Sequence, residues 1–222
     1  MPHVATAKKQ TRSRPETIAR RREILRAATD IFGSKGSVNG TLTDIAEQVG
    51  MTHAGILHHF GSKDQLLMEV LTYRDESDVD HLEEKHIPTG IEFFRHLVRT
   101  AFSNAHRAGL VQAYAVLSAE SVTDDHAARD YFEDRYRTLR QEAVEAFTQI
   151  CAERGVATPE TAYRAGAGIL AVMDGLQVQW LLDPTNIELG ETSEFAIEAI
   201  VSAVLSPQPS PLREPALDAV AD

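Results

Sequence analysis

Apolar residues recur along the chain at three- and four-residue intervals. No stretch alternates at the two-residue interval of a half-buried strand, so the pattern predicts an all-α fold of about nine helices. The first helix is expected from Glu16 to about Lys35, with Ile24, Leu25, Ala28, Ile31 and Phe32 inward and Gly33 and Gly36 at its end. After the Asn39-Gly40 turn, Leu42, Ile45, Ala46 and Val49 fall at i, i+3, i+4 and i+7. Thr41 precedes them as N-cap, with Asp44 as a capping-box acid. Gly50 sits where a helix ends in a left-handed residue. Thr52 then caps a short helix with Ile56, Leu57 and Phe60 inward and His53, Gly55 and His58 outward. Ser62, with Gln65 three residues on, opens a fourth helix on Leu66, Leu67, Val70 and Leu71. Past Arg74 that stripe thins into DESDVDHLEEKH, which reads as a solvated helix end.

Pro88 and Gly90 break the chain, so a domain boundary is expected around residues 72–88. A larger helical module then covers 76–205. Phe94, Leu97, Val98, Ala101, Phe102 and Ala105 line one helix, ended by Gly109, and Val111, Tyr114, Val116 and Leu117 a short second. Phe132, Tyr136, Leu139, Ala143, Phe147 and Ile150 line a long third, up to Gly155. Thr158 as cap and Pro159 at the first helical position predict a helix to Leu182, stopped by Asp183-Pro184; the last helix spans about Thr192–Leu205. Ala162, Ala165, Gly166 and Ala167 are small enough for another helix to approach closely. These last two helices are apolar over more surface than a monomer should leave exposed. Residues 206–222, with Pro207, Pro209, Pro211 and Pro215, read as a disordered tail.

Two helices joined by a short Gly-containing turn, the second short and polar outside, make residues 41–60 a helix-turn-helix of the DNA-reading kind. The run from Thr41 to Leu67, with its HHFGSKDQLL segment, resembles the N-terminal DNA-binding domain of the tetracycline-repressor (TetR) family of transcriptional regulators. The DNA-binding domain is then expected over 16–75. The resemblance implies that the last two helices pair with their two-fold mates in a homodimer, and 173–184 (MDGLQVQWLLDP) is similar to the family's penultimate helix. It further implies that a small molecule bound among the C-terminal helices releases DNA. Positions matching Thr41, Thr52, His53, His59 and Lys63 are the family's common DNA contacts. The family usually has Tyr, bonding a phosphate, where this chain has Leu57, which shifts that role toward His58.

Groove geometry adds to this set. A major groove admits one helix, read from its first turn and outer face. Thr52 and His53 stand at that start, Ala54 and Gly55 are small enough for close approach, and His58 and His59 lie at the phosphate end. Thr43, near the start of the preceding helix, completes the candidate DNA-contact set. Lys63 neutralises a phosphate as a point charge.

Charge sharpens the partner. The chain carries −11 overall, yet residues 1–63 hold ten Lys/Arg against five Asp/Glu, and the remainder twelve against twenty-eight. A basic module on an acidic body suits a double-stranded DNA operator as partner. Residues 1–15, with Lys8, Lys9, Arg12 and Arg14, read as a disordered basic arm able to touch phosphates or the minor groove. A single cysteine, Cys151, fits a reducing cytoplasm and a packed structural thiol. No apolar run approaches the roughly 20 residues of a membrane span, and no membrane partner is expected. Adjacent His58 and His59 point apart, and no Cys pair or His-Glu-x-x-His motif is present, so neither metal nor cofactor is implied.

Candidate effector contacts are the aromatic and soft residues Phe94, Phe102, Tyr114, Phe147, Met173 and Trp180. The polar residues His106, Gln112, Asp174 and Gln177 join them, around a small and largely apolar ligand. A ligand-independent DNA-binding or dimerising protein is the first alternative. An all-α enzyme is the second, but no nucleophile–base pair or Gly-rich phosphate loop speaks for it.

Overall fold

The computed structural model describes residues 15–79 and 86–208, and the described residues form nine helices with no strand. The expected arm, apart from Pro15, and the tail beyond Gln208 lie outside them. The helices are α1 (Pro15–Asn39), α2 (Leu42–Gln48), α3 (His53–Phe60), α4 (Lys63–Val79), α5 (Ile91–Asn104), α6 (Ala108–Glu120), α7 (Arg129–Glu153), α8 (Thr161–Leu182) and α9 (Leu189–Leu205).

Several boundaries differ from the periodic pattern, each for a packing reason. Helix α1 reaches Asn39 only across a break at Gly36, whose φ of +74° and ψ of 171° are not helical, so its first segment stops near Lys35 as expected and a short second one follows. Gly33 does not end the helix: a Cβ there would stand 3.1 Å from the Ala113 backbone nitrogen, so Gly33 is where α6 crosses α1 closely. The turn before α8 is closed by the Ala162 N–H donating to the Pro159 carbonyl at 3.0 Å, which puts Pro159 ahead of the α-helix rather than at its first position. Helix α9 starts a turn earlier than Thr192, because Gly190 admits the Phe102 ring against its backbone.

One apolar cluster gathers α1–α4 around Ile24, Phe32, Ile45, Ile56, Leu66 and Leu71, and it continues into Tyr114 and Leu117 of α6 and Phe132 of α7. A second joins α5, α7, α8 and α9 around Phe93, Phe94, Phe147, Ile169 and Ile197. Helices α6 and α7 therefore stand with one side in the core of the first module. Cys151 is buried in α7. Helix α8 is long and apolar enough to cross a membrane by length and composition alone, which the pattern did not predict; 39% of its most apolar window is buried in the fold. Its inner side packs on α7 and α9, which apolar periodicity cannot separate from a span.

Candidate functional site

The helix-turn-helix is built by local bonds. Thr41 Oγ1 accepts from the Asp44 N–H at 3.1 Å while the Asp44 carboxylate accepts from the Thr41 N–H at 2.9 Å, a complete capping box. Lys35 lies 2.8 Å from the same carboxylate. These bonds, the Lys35 contact first, hold the Asp44 carboxyl below the usual carboxylate range. At the other end of α2, the Met51 N–H reaches the Ala46 carbonyl at 2.8 Å and the Gly50 N–H reaches Glu47 at 3.3 Å. With Gly50 at φ +63° this is a Schellman turn, which sets the angle at which α3 leaves α2.

Helix α3 then presents its first turn outward. Thr52 caps it by accepting from the Gly55 N–H at 3.1 Å; Thr52, His53, Ala54 and His58 are exposed, as are Thr41 and Thr43 at the start of α2. Gly55, His59 and Lys63 are partly buried, and Lys63 Nζ rests 3.4 Å from the Val38 carbonyl. Leu57 packs half-buried against the first core, leaving the outer face to the histidines.

Pattern reading missed what fixes the far end of α3. Arg21 of α1 stacks on the Phe60 ring with its guanidinium carbon 4.2 Å from the centroid, donates to the His59 carbonyl, and pairs with Glu69 of α4 at 2.5 Å. One side chain thus ties three helices together behind the recognition helix. Burial, then the His58 and Arg21 charges, lower the His59 pKa from its ordinary value, keeping it neutral to lower pH. The signal was present: Arg21 precedes Ile24, Leu25 and Ala28 at i+3, i+4 and i+7, on the inner stripe of α1.

The second feature is a cavity of about 360 Å³ walled by α4 to α8. Of the residues singled out in sequence, Tyr114, Met173, Asp174 and Gln177 line it. Phe94 and Phe147 sit in the second core, and Trp180 in a satellite cluster with Val111, Leu176 and Leu189. Phe102 lies at the surface against Gly190. His106 and Gln112 are exposed.

Charged residues of α4 also line the cavity, contrary to the expected solvated helix end. Arg74 and Asp78 are 7% and 9% exposed and continue the Leu67–Val70–Leu71 stripe inward. Burial is tolerated because the charges are paired. Arg74 lies 3.2 Å from both Asp75 and Asp78 and over the Tyr114 ring. Arg107 reaches Asp78 at 2.7 Å, and Arg135 of α7 binds Asp75, which also accepts from the Tyr131 hydroxyl at 2.6 Å. Asp174 of α8 accepts from the Tyr136 hydroxyl at 2.6 Å. Among the described residues no group of three His, Cys, Asp or Glu is placed to hold a metal ion.

Known proteins share both halves. The family described as "Bacterial regulatory proteins, tetR family" matches residues 24–70, and that described as "BetI-type transcriptional repressor, C-terminal" matches 91–206. The regulator TtgR of Pseudomonas putida is 29% identical over 219 residues, covering 88% of this chain and 97% of its own length. Among solved structures, a transcriptional regulator from Saccharomonospora viridis in complex with choline superposes with a TM-score of 0.65 at 23% identity, over 82% of this chain and 96% of that one. The SmeT–triclosan complex does so with a TM-score of 0.64 at 17% identity, over 88% of this chain and 100% of that one. With a helix-turn-helix capped as above and matches spanning both modules, the chain belongs to the TetR family of DNA-binding transcriptional regulators.

Proposed function

We propose that this regulator is a repressor that binds a palindromic operator as a homodimer and lets go when a small molecule enters the cavity between α4 and α8. The observation that carries this is the course of α4. Two residues separate it from the end of the recognition helix, and it supplies Arg74, Asp75 and Asp78 to the cavity wall. A ligand that prefers one placement of α4 therefore prefers one placement of α3, and differential affinity between the two shifts the population. Thr52, His53, Ala54 and Gly55 face base edges in this scheme, with Thr41, Thr43, His58, His59 and Lys63 toward the backbone. DNA-binding and ligand-binding domains over about 16–75 and 76–205 share the α6–α7 packing.

Dimerisation is supported by the outer faces of α8 and α9. Tyr163, Val178 and Leu182 are 57%, 46% and 82% exposed, and with Ala167, Ala171 and Gly175 they form one stripe at helical spacing; Phe195 of α9 is 73% exposed. Of the small residues expected to admit another helix, Ala162 is buried and Gly166 receives Ala143 of α7 within the chain, whereas Ala167 lies on the outer stripe; further along that stripe nothing stands within 4 Å of a Cβ at Gly175. A two-fold four-helix pairing covers this surface and gives two recognition helices, which a two-fold operator requires.

Selection of bound duplexes from a random pool, followed by footprinting and sedimentation, tests this. The expected result is two inverted half-sites occupied by a dimer. A selected site without two-fold symmetry, or one bound by a monomer, overturns it.

A further inference from the structure

The relatives solved with choline and with triclosan hold ligands of different charge, so the fold does not choose the ligand class and this chain's own side chains must. The cavity's buried and half-buried carboxylates are matched unequally, while Glu76, which also lines it, is exposed to water. Asp75 has Arg74, Arg135 and the Tyr131 hydroxyl; Asp78 has Arg74 and Arg107. Asp174, facing the same space, has the Tyr136 hydroxyl on Oδ2 and pairs with no guanidinium or ammonium among the described residues. Burial pushes its carboxyl above the usual range, the sign of a charge whose surroundings do not offset its desolvation.

Two further polar groups line the space unpaired. Gln177, one turn beyond Asp174 and 4% exposed, makes no hydrogen bond among the described residues. Thr100, on α5 and 7% exposed, buries its hydroxyl without a partner. Buried polar groups are ordinarily satisfied, so two unpaired ones beside a carboxylate without an ion pair mark the place of a missing partner.

The guanidiniums at and beside the cavity are already committed, and the two histidines that line it, His86 and His96, have contacts of their own. Arg74 serves two aspartates; Arg107 serves Asp78, Asn104 and Ser77; Arg135 serves Asp75 and the Tyr114 hydroxyl. An anionic ligand would have to break one of these pairs and strand a buried carboxylate, whereas a cation at Asp174 adds a pair and breaks none. Leu97, Leu139, Leu170 and Met173 complete a largely apolar wall, and the Tyr136 ring adds a face that favours a cation, the Tyr114 ring being already covered by Arg74.

We infer that the cavity takes an organic cation, its ammonium group against Asp174 with Gln177 and Thr100 as further partners, and a compact apolar body along Leu170 and Met173. This rests on the cavity being the effector site. It replaces the expectation of a merely apolar ligand with an amphiphilic one.

Calorimetric titration of the full chain with three probes of one shape tests it: phenethylammonium, phenethyl alcohol and hydrocinnamate. Phenethylammonium should bind about tenfold tighter than either other probe, as a charge-assisted contact implies. Asp174→Asn should erase that preference. Equal affinities, a tighter hydrocinnamate, absence of phenethylammonium binding, or a preference that survives Asp174→Asn overturns the assignment. Should Asp174→Asn lose its helical circular dichroism, the preference of the unaltered protein decides alone. Leu170→Trp, which fills the cavity, separates the two levels. Binding of the alcohol or hydrocinnamate that Leu170→Trp abolishes would refute the cation and keep the cavity, whereas binding that persists in Leu170→Trp would refute the cavity itself.

Discussion

Arg21 and Lys63 are both cations beside the recognition helix, and their surroundings assign them different work. Arg21 is turned onto Phe60, the His59 carbonyl and Glu69, so it holds α3 in place. Arg21→Ala should weaken DNA binding about tenfold, a typical loss for one anchoring side chain, with the slope of log affinity against log salt unchanged. A slope smaller by about one would show a phosphate contact instead. Lys63→Ala should show that smaller slope and weaken all sequences alike, while His53→Ala should cost about 1–3 kcal/mol on the selected site and relax its sequence preference. If the two behave alike in competition shifts, the division of roles is wrong. Asp174 predicts a pH effect. Its folded carboxyl is raised, by burial first, against the opposing pull of Arg74 and Arg135. The folded protein therefore holds that proton to higher pH than the unfolded chain does. Its contribution is intact below the ordinary carboxylate value and is lost as pH rises through the raised one. Asp174→Asn should unfold at a higher temperature at neutral pH and lose that advantage in acid. A variant less stable at neutral pH would contradict this.

At the scale of elements, legibility followed whether a residue's neighbours lay within its own helix. Thr41, Asp44, Gly50 and Thr52 were readable because caps and left-handed turns are local. The role of Gly33 was not, since a glycine that ends a helix and one that admits another helix look alike in sequence; Gly166 was legible as admitting a helix, but not that the helix would be α7 of the same chain. The charges of α4 were misjudged for a related reason. Arg74 and Asp78 sit on the inner stripe, but burying them is tolerable only with partners beyond α4, the Tyr114 ring of α6 and Arg107 just before that helix. Gly33→Val should destabilise the fold by about 1–3 kcal/mol, because its branches must displace the Ala113 backbone. Gly33→Ala should cost less, its strain offset by up to about 1 kcal/mol of helix propensity. Thermal unfolding of both checks this, and equal stabilisation by both would mean that α6 can move away.

At the scale of the molecule, the outer stripe of α8 and α9 governs whether two recognition helices exist in one particle. Leu182→Glu with Phe195→Glu should give a monomer by sedimentation and abolish binding to a two-half-site duplex, with helicity retained. A dimer surviving both changes would place the interface elsewhere. The aromatic candidates show the same limit seen in single elements. Phe94, Phe147 and Trp180 proved to be core, and Tyr114, Met173, Asp174 and Gln177 proved to share a cavity, because five helices from α4 to α8 had to meet before either could be known.

The sequence by itself determined the helical period, the caps and turn of the helix-turn-helix, and the basic N-terminal third that sets DNA as the partner. Each depends on residues within a few positions of one another, or on charge that needs no geometry. Tertiary packing alone sets which cations hold the recognition helix, which charges are buried, and that Asp174 pairs with no guanidinium or ammonium among the described residues. Those depend on distances between residues tens of positions apart, such as Arg21 and Glu69 or Asp75 and Arg135, and on desolvation, which exists only once the helices have packed.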